Sequence, residues 1–322
     1  MYETIKNFHT QFAFDPVIVN AHNLKLAQHY MVAGMGGSHL AGGLIHSLDP
    51  EISLSILYDY GLPPLRKKNT NDILVIASSY SGNTEETIDV LECALRAKIP
   101  CGVITTGGVL LEKAKQAELP YIELPATGIQ PRSALGYSFK AILKFLGREE
   151  MLRDASRLAR TLNPSAYAEQ GKLLAEWLKN KVPLVYSSRV NGPLAYIWKI
   201  KFNETGKIPA FYNVFPEMNH NEMTGFDVLD STIPLSQNFS TVIIKDAKDD
   251  PRILKRMDIL AELYQKRSIP VRAITLQGEN RLMQIFNSLV LADWTAYYLA
   301  LGYGADPEQV PMVEEFKRLM KS

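Results

Sequence analysis

Five short apolar runs in the first half of the chain constrain its fold most: YMVAGM (30–35), SLSILYD (53–59), ILVIAS (73–78), CGVITT (101–106) and PYIEL (120–124). Stretches with the apolar spacing of helices separate them, at 39–47, 84–97 and 110–117. A strand that is apolar along its whole length has no solvent side, so both faces of its sheet must be covered. Strands alternating with helices meet that demand as a parallel sheet with helices on both faces, a doubly wound α/β domain. The second half repeats the pattern with PLVYSS (183–188), IPAFYN (208–213), STVIIKD (240–246) and PVRAITL (270–276), and with helices at 193–204, 250–267 and 280–301. Two such domains are expected, 1–150 and 151–322, the cut falling in a helical stretch (137–178) that NPS (163–165) interrupts. The tail opens a helix at Pro311 whose apolar positions, Met312, Phe316 and Met320, give it one face to bury.

Composition narrows the partners. With 322 residues, 46% of them hydrophobic, the chain is long enough for two cores. Its 35 basic and 34 acidic residues give a formal charge of +1, too little to draw it to nucleic acid or anionic lipid through a net field. Any anion it binds must be gripped locally. Cys93 and Cys101 lie in apolar surroundings without metal-ligand spacing and read as packed thiols. No run reaches the ~18 apolar residues of a membrane helix, and MYETIKNFHT lacks the apolar core of a signal peptide. The expectation is a cytoplasmic protein with no nucleic-acid or membrane partner.

Two strand-to-helix turns carry the chemistry. The second, SSYSGNTEE (78–86), places Ser78, Ser79, Ser81 and Thr84 around a Gly and an Asn at a helix start. A single N-cap, worth ~1 kcal/mol, accounts for one of these hydroxyls and leaves the rest unexplained. The first, GMGGSHLAGG (34–43), satisfies G-x-G but has His39 where a dinucleotide fingerprint needs its third Gly. Asp59, ending the next strand, keeps a nicotinamide-binding domain as a minority reading. Glycines also serve a simpler end, because Gly36 and Gly37 let backbone N–H groups approach a ligand at the positive end of a helix, with Ser38 adding a hydroxyl. In a doubly wound sheet the loops at the carboxyl ends of the strands converge on one crevice. Two hydroxyl-bearing helix starts around one crevice suit a phosphate.

GGS followed by SxSGNTEET resembles the signature of sugar isomerase (SIS) domains, which bind phosphosugars. The ordered series GMGGS, SSYSGNTEET, QPRSALGY, NETGKIPAFYNVFPEMNHNE and a terminal DP…EEFKRL is similar to the bifunctional phosphoglucose/phosphomannose isomerases, from about residue 30 to the end. The resemblance implies two SIS domains and interconversion of glucose 6-phosphate, or also mannose 6-phosphate, with fructose 6-phosphate through an enediol, in glycolysis or gluconeogenesis. Dual-specificity members carry a Thr seven positions before the terminal lysine, where this chain has Val310.

Such a reaction must open a ring, move a proton between C2 and C1 and stabilise an enediolate. Glu204 in KFNETGK matches the family's base, near the end of a helix begun at Pro193, where a carboxylate meets the negative end of the dipole. By itself the segment reads as an ordinary surface Glu. His220 in FPEMNHNE, the only His of the second half, matches the residue that handles ring protons, and the resemblance has this loop reach the neighbouring subunit's site in a homodimer. Arg132 in GIQPRSALGY matches the cation that stabilises the enediolate, and Pro131 beside it is counted with the substrate-binding residues. Lys317 matches a ring-opening lysine; without the resemblance it reads as part of a solvated helix face.

The phosphate contacts then fall to Gly36, Gly37, Ser38, Ser79, Ser81 and Thr84. His22, His29, His39 and His46 lack carboxylates at zinc-ligand spacing, and enediol chemistry needs no metal, redox cofactor or nucleotide, so none is expected. A non-catalytic phosphosugar sensor would keep the serines without reason to keep Glu204, His220 and Arg132 together.

Overall fold

The computed structural model describes residues 1–25, 27–65 and 72–320. Two compact units divide the chain: Asn7–Leu162, and Met1–Lys6 together with Asn163–Ser322. The first helix, α1 (Tyr2–Lys6), thus belongs to the second unit, where Tyr2 packs edge-on against Trp294 at 5.1 Å between ring centroids.

The first unit runs β1 (His29–Ala33), α2 (Leu40–Leu48), β2 (Leu54–Leu57), β3 (Ile73–Ser78), α3 (Glu85–Arg96), β4 (Cys101–Thr105), α4 (Gly108–Gln116), β5 (Tyr121–Glu123), α5 (Leu135–Phe145) and α6 (Glu149–Thr161). Its five strands pair in parallel in the order β2-β1-β3-β4-β5, a doubly wound arrangement whose order reverses between β1 and β3. All six residues of β3 are buried, as a strand covered on both faces must be. Met31, Ala33, Val75, Ala77 and Val103 form one core with Val90, Leu91 and Ala94 of α3 and Leu110 and Ala114 of α4. The division falls at Leu162 rather than near 150 because α6 packs back on the 3₁₀ segment Phe8–Ala13 and on α5. Lys140 of α5 locks that arrangement: its buried ammonium donates to the Phe12 carbonyl and to Ser156 Oγ, each at 2.8 Å.

The second unit continues with α7 (Ala168–Leu178), β6 (Val182–Ser188), α8 (Gly192–Glu204), β7 (Phe211–Phe215), α9 (Ile233–Ser236), β8 (Phe239–Lys245), α10 (Pro251–Lys266), β9 (Val271–Thr275), α11 (Arg281–Gly302) and α12 (Pro311–Leu319). Its sheet is again parallel, in the order β7-β6-β8-β9. Leu184, Tyr186 and Ile243 face Met257, Leu260 and Tyr264 of α10, while α8 packs on β6 and against α11, as α7 does. Trp198 Nε1 donates to Ser288 Oγ at 3.0 Å, and the buried Lys201 ammonium pairs with Asp293, so α8 is pinned to α11 by two polar contacts near its end.

Two expectations need correction. The strand expected at 208–213 forms at Phe211–Phe215 instead: Ile208 and Ala210 give their carbonyls to the Asn203 side chain, at 3.0 and 3.4 Å, and not to a sheet partner. The apolar face of α12 is not buried: Met312, Phe316 and Met320 are all exposed in the single chain.

The polar residue that opens α2 has a measurable consequence. His39 is 8% exposed against Tyr58, and burial lowers its pKa to about 4. The unfolded chain takes up a proton below ~6.5, whereas the folded one resists until about 4. Stability of the first unit should therefore be full above pH 6.5 and fall by about 3 kcal/mol as pH drops through that window. Urea unfolding against pH checks this: the slope between pH 6.5 and 4 should be shallower in His39→Asn than in wild type by that amount.

Candidate active site

Where β1 and β3 lie side by side, the turns that follow them are forced together. The first folds as the 3₁₀ turn Gly36–Ser38, and the second runs from Ser78 to the N-cap of α3 at Thr84. Ser78 Oγ donates to the Ser38 carbonyl at 3.1 Å, and the Tyr80 N–H donates to Ser38 Oγ at the same distance. Ser79, only 1% exposed, accepts the Gly82 N–H at 3.2 Å and meets the Thr84 hydroxyl at 2.8 Å. Gly82 has φ +70°, and a Cβ there would sit 1.8 Å from the Gly107 carbonyl, so no other residue fits the turn.

The hydroxyls thus divide by task. Ser38 and Ser78 are buried and knit the two turns to one another, the buried Ser79 braces its own turn, and Ser81 is exposed and Thr84 half-buried at the start of α3. The first-turn N–H groups of α3 have no partner within the helix and carry the positive end of its dipole. His39 adds no cation near neutral pH, because burial keeps its imidazole neutral. The arrangement is a cradle of neutral donors, a chemistry suited to an anion.

A third segment joins it. A Cβ on Gly37 would lie 2.6 Å from the Arg132 backbone N, so the missing side chain lets the turn Pro131–Ser133 close on the Gly36–Ser38 turn. Arg132 is 3% exposed, unlike a surface arginine, and its Nη1 donates to Gln130 Oε1 at a long 3.5 Å. Sequence reasoning missed the residue that holds this segment. Gln11, buried in the 3₁₀ segment Phe8–Ala13, donates to the Ser133 carbonyl at 2.6 Å and accepts the Gly136 N–H at 2.9 Å. The one sequence signal was a polar residue on the apolar stripe of Phe8 and Phe12.

The second unit carries the other three candidates. Glu204 is the last residue of α8, half-buried, and Lys207 donates to its carbonyl at 2.5 Å, bringing a cation to the helix end where sequence alone placed only the dipole. His220 is exposed and closes the 3₁₀ turn Glu217–His220, which Met218, 0% exposed, roots in the core of Phe215, Tyr186 and Tyr264. Lys317 lies on α12, exposed like its neighbours. The structure therefore brings Gly36, Gly37, Ser38, Ser79, Ser81, Thr84, Pro131 and Arg132 together in the first unit and sets Glu204, His220 and Lys317 on three different elements of the second.

The second sheet has a switch point of its own, between β6 and β8, and fills it with side chains. Arg281 donates to Asp246 Oδ2 at 2.6 Å and to Asn191 Oδ1, while Asn191 Nδ2 reaches Ser188 Oγ at 3.1 Å. Burial, with Asp246 adding to it, pushes the Asp249 carboxyl beside them above the usual carboxylate range.

Two doubly wound parallel sheets, one bearing a hydroxyl-lined cradle at its switch point, define a protein built from sugar isomerase (SIS) domains. The model of the bacterial phospho-glucose isomerase C-terminal SIS domain matches residues 168–320. A bifunctional phosphoglucose/phosphomannose isomerase of Aquifex aeolicus is 32% identical over 326 residues, covering 100% of this chain and 98% of its own. A protein of the same name from Caldicellulosiruptor bescii is 35% identical, covering 89% of this chain and 88% of its own. The solved tagatose-6-phosphate ketose/aldose isomerase of Escherichia coli shares the fold at a TM-score of 0.66, with 16% identity, over 95% of this chain and 93% of its own. The chain belongs to the bifunctional phosphoglucose/phosphomannose isomerase family.

If the cradle holds a phosphate, replacing both Ser81 and Thr84 with Ala should weaken binding of a phosphosugar inhibitor about 10-fold or more, for two lost hydrogen bonds to a charged group, while the unfolding midpoint moves little. Calorimetry that found unchanged affinity would place the anchor elsewhere.

Proposed function

We propose that this protein is an aldose–ketose isomerase that interconverts glucose 6-phosphate and fructose 6-phosphate. The observation that carries the reading is the convergence of Gly36–Ser38, Ser81, Thr84 and the buried Arg132 at one switch point, in a chain whose relatives bear the isomerase name. The phosphate sits on the neutral donors, bound equally in ground and transition states, and fixes a sugar whose other end reacts. His220 exchanges the protons that open the ring, assisted by Lys317. Glu204 carries a proton between C2 and C1: it takes the C2 hydrogen as the C1 carbonyl becomes an enediol, then returns it to C1 as the carbonyl forms at C2. The Arg132 guanidinium stabilises the negative charge of the enediolate. The O2 hydroxyl loses its proton as O1 gains one, and C1 is reduced as C2 is oxidised, so the isomerisation is redox-neutral overall and draws on no cofactor or metal. The working form is a homodimer in the cytoplasm, each site using the partner subunit's His220.

Among the described residues no helix is long and apolar enough to cross a membrane. The reading is tested by a coupled assay free of added cofactor for the isomerase, following conversion of fructose 6-phosphate to its aldose phosphates. No turnover would leave the phosphosugar sensor as the better reading.

For the base, Glu204→Gln should keep fold and inhibitor binding, being nearly isosteric, and should lose ~100-fold or more in proton transfer. Washing of solvent deuterium into the C2 position, followed by NMR, reports that step directly, and undiminished exchange would move the base elsewhere.

The composite site predicts complementation. Glu204→Gln and His220→Ala proteins, each strongly impaired alone, should regain activity when mixed under subunit-exchange conditions, because a heterodimer pairs one intact base with one intact imidazole. Random exchange of equal amounts makes about half the dimers mixed, each with one repaired site of two, so recovery should approach roughly a quarter of wild type. No recovery, with exchange verified by mass spectrometry, would place both residues of a site on one chain.

A further inference from the structure

The loop that presents His220 is tied down on both sides of the imidazole. Two residues before it, Met218 is fully buried. Two residues after it, Glu222 turns its carboxylate inward: the phenol of Tyr186 donates to Oε1, and Asn213 Nδ2 donates to Oε2 at 2.5 Å. Tyr186 is itself 0% exposed on β6, in the middle of the second sheet, and Asn213 lies on the neighbouring β7. The Asn221 side chain completes the brace, accepting the Glu222 N–H at 2.5 Å and donating to Glu217 Oε1 at 2.8 Å.

A carboxylate half-buried against a sheet is costly unless it is hydrogen-bonded, and here both oxygens are. Burial and the nearby Glu222 charge raise the Tyr186 phenol far above its ordinary range, so it stays a donor at every working pH. The acceptor has to be a carboxylate or its equivalent, because the two donors converge on it from two strands. A surface loop that needed only to be closed has no use for such a clamp.

We propose that Glu222 is the positioning residue for His220: its carboxylate, fixed by Tyr186 and Asn213, holds the 217–222 loop in the geometry that presents the imidazole to the sugar ring. The role rests on His220 acting in ring opening. Glu222 itself touches no reacting atom. Its loss lets the loop shift, which misplaces the proton exchange at the ring and leaves phosphate binding untouched. A displacement of about 1 Å is enough to cost on the order of 100-fold in rate.

The test compares Glu222→Gln in two backgrounds. In the wild-type background kcat for fructose 6-phosphate should fall about 10- to 100-fold, with the affinity for a phosphosugar inhibitor unchanged within about twofold. In the His220→Ala background the same substitution should lower the residual activity no further, because the group it positions is gone. Equal losses in both backgrounds, or no loss in either, would overturn the proposal. Tyr186→Phe removes one donor while keeping the buried ring, and should show the same pattern in milder form; it carries the test if Glu222→Gln does not fold. Full activity in His220→Ala would instead refute the role of His220, an outcome distinguishable from normal activity in Glu222→Gln beside a slow His220→Ala.

Discussion

The parallel pairing of β1 with β3 is the contact on which the rest depends. Register places Ala33 opposite Ala77, so the turns that follow leave the sheet side by side. Two helix starts are thereby brought to one point, where first-turn N–H groups without a partner in the helix are free to face a ligand. A chain of formal charge +1 could grip an anion there without a net field. Closeness also has a cost in side chains, met by glycine: Gly82 avoids the Gly107 carbonyl and Gly37 avoids the backbone of Arg132.

The two units use one strand plan for different ends. In the first, the switch point is lined by hydroxyls and backbone. In the second, Asp246 and Asp249 stand at the matching place with Arg281 laid between Asp246 and Asn191. Carboxylates held there disfavour an anion, and the guanidinium is already committed to Asp246 and Asn191. The flanks of the second unit, the end of α8 and the loop after β7, hold Glu204 and His220 instead. The buried Lys201–Asp293 pair suits that task, since removing one partner of such a pair leaves an uncompensated charge and so fixes how α8 is turned.

Both parallel sheets were legible because apolar runs such as ILVIA have one physical explanation, burial on two faces. The hydroxyl-lined turn was legible because four hydroxyls in SSYSGNT exceed what capping needs. Their separate tasks were not: Ser79 and Ser81 look alike in sequence, and only the fold buries the first and exposes the second. Gln11 offered only a polar residue on an apolar stripe, and its partners Ser133 and Gly136 are more than a hundred residues away. The start of β7 was misjudged because Ile208 and Ala210 have strand-like composition but give their carbonyls to Asn203. The burial of Arg132 was not legible in the sequence, where an isolated arginine reads as a surface charge.

An anchor at the phosphate is blind to C2, so it cannot choose between aldoses that differ only there. Discrimination must come from the polar groups and space around that carbon. Val310, at the residue before α12, stands where dual-specificity members carry Thr, and its side chain caps nothing. Val and Thr are close in volume, so the exchange removes a hydroxyl without adding bulk. A site built to hydrogen-bond a substrate hydroxyl rejects the wrong partner by ~10⁴-fold or more, whereas an apolar wall discriminates by only ~100-fold. Replacing a hydroxyl by a methyl therefore withdraws an attraction without raising a barrier.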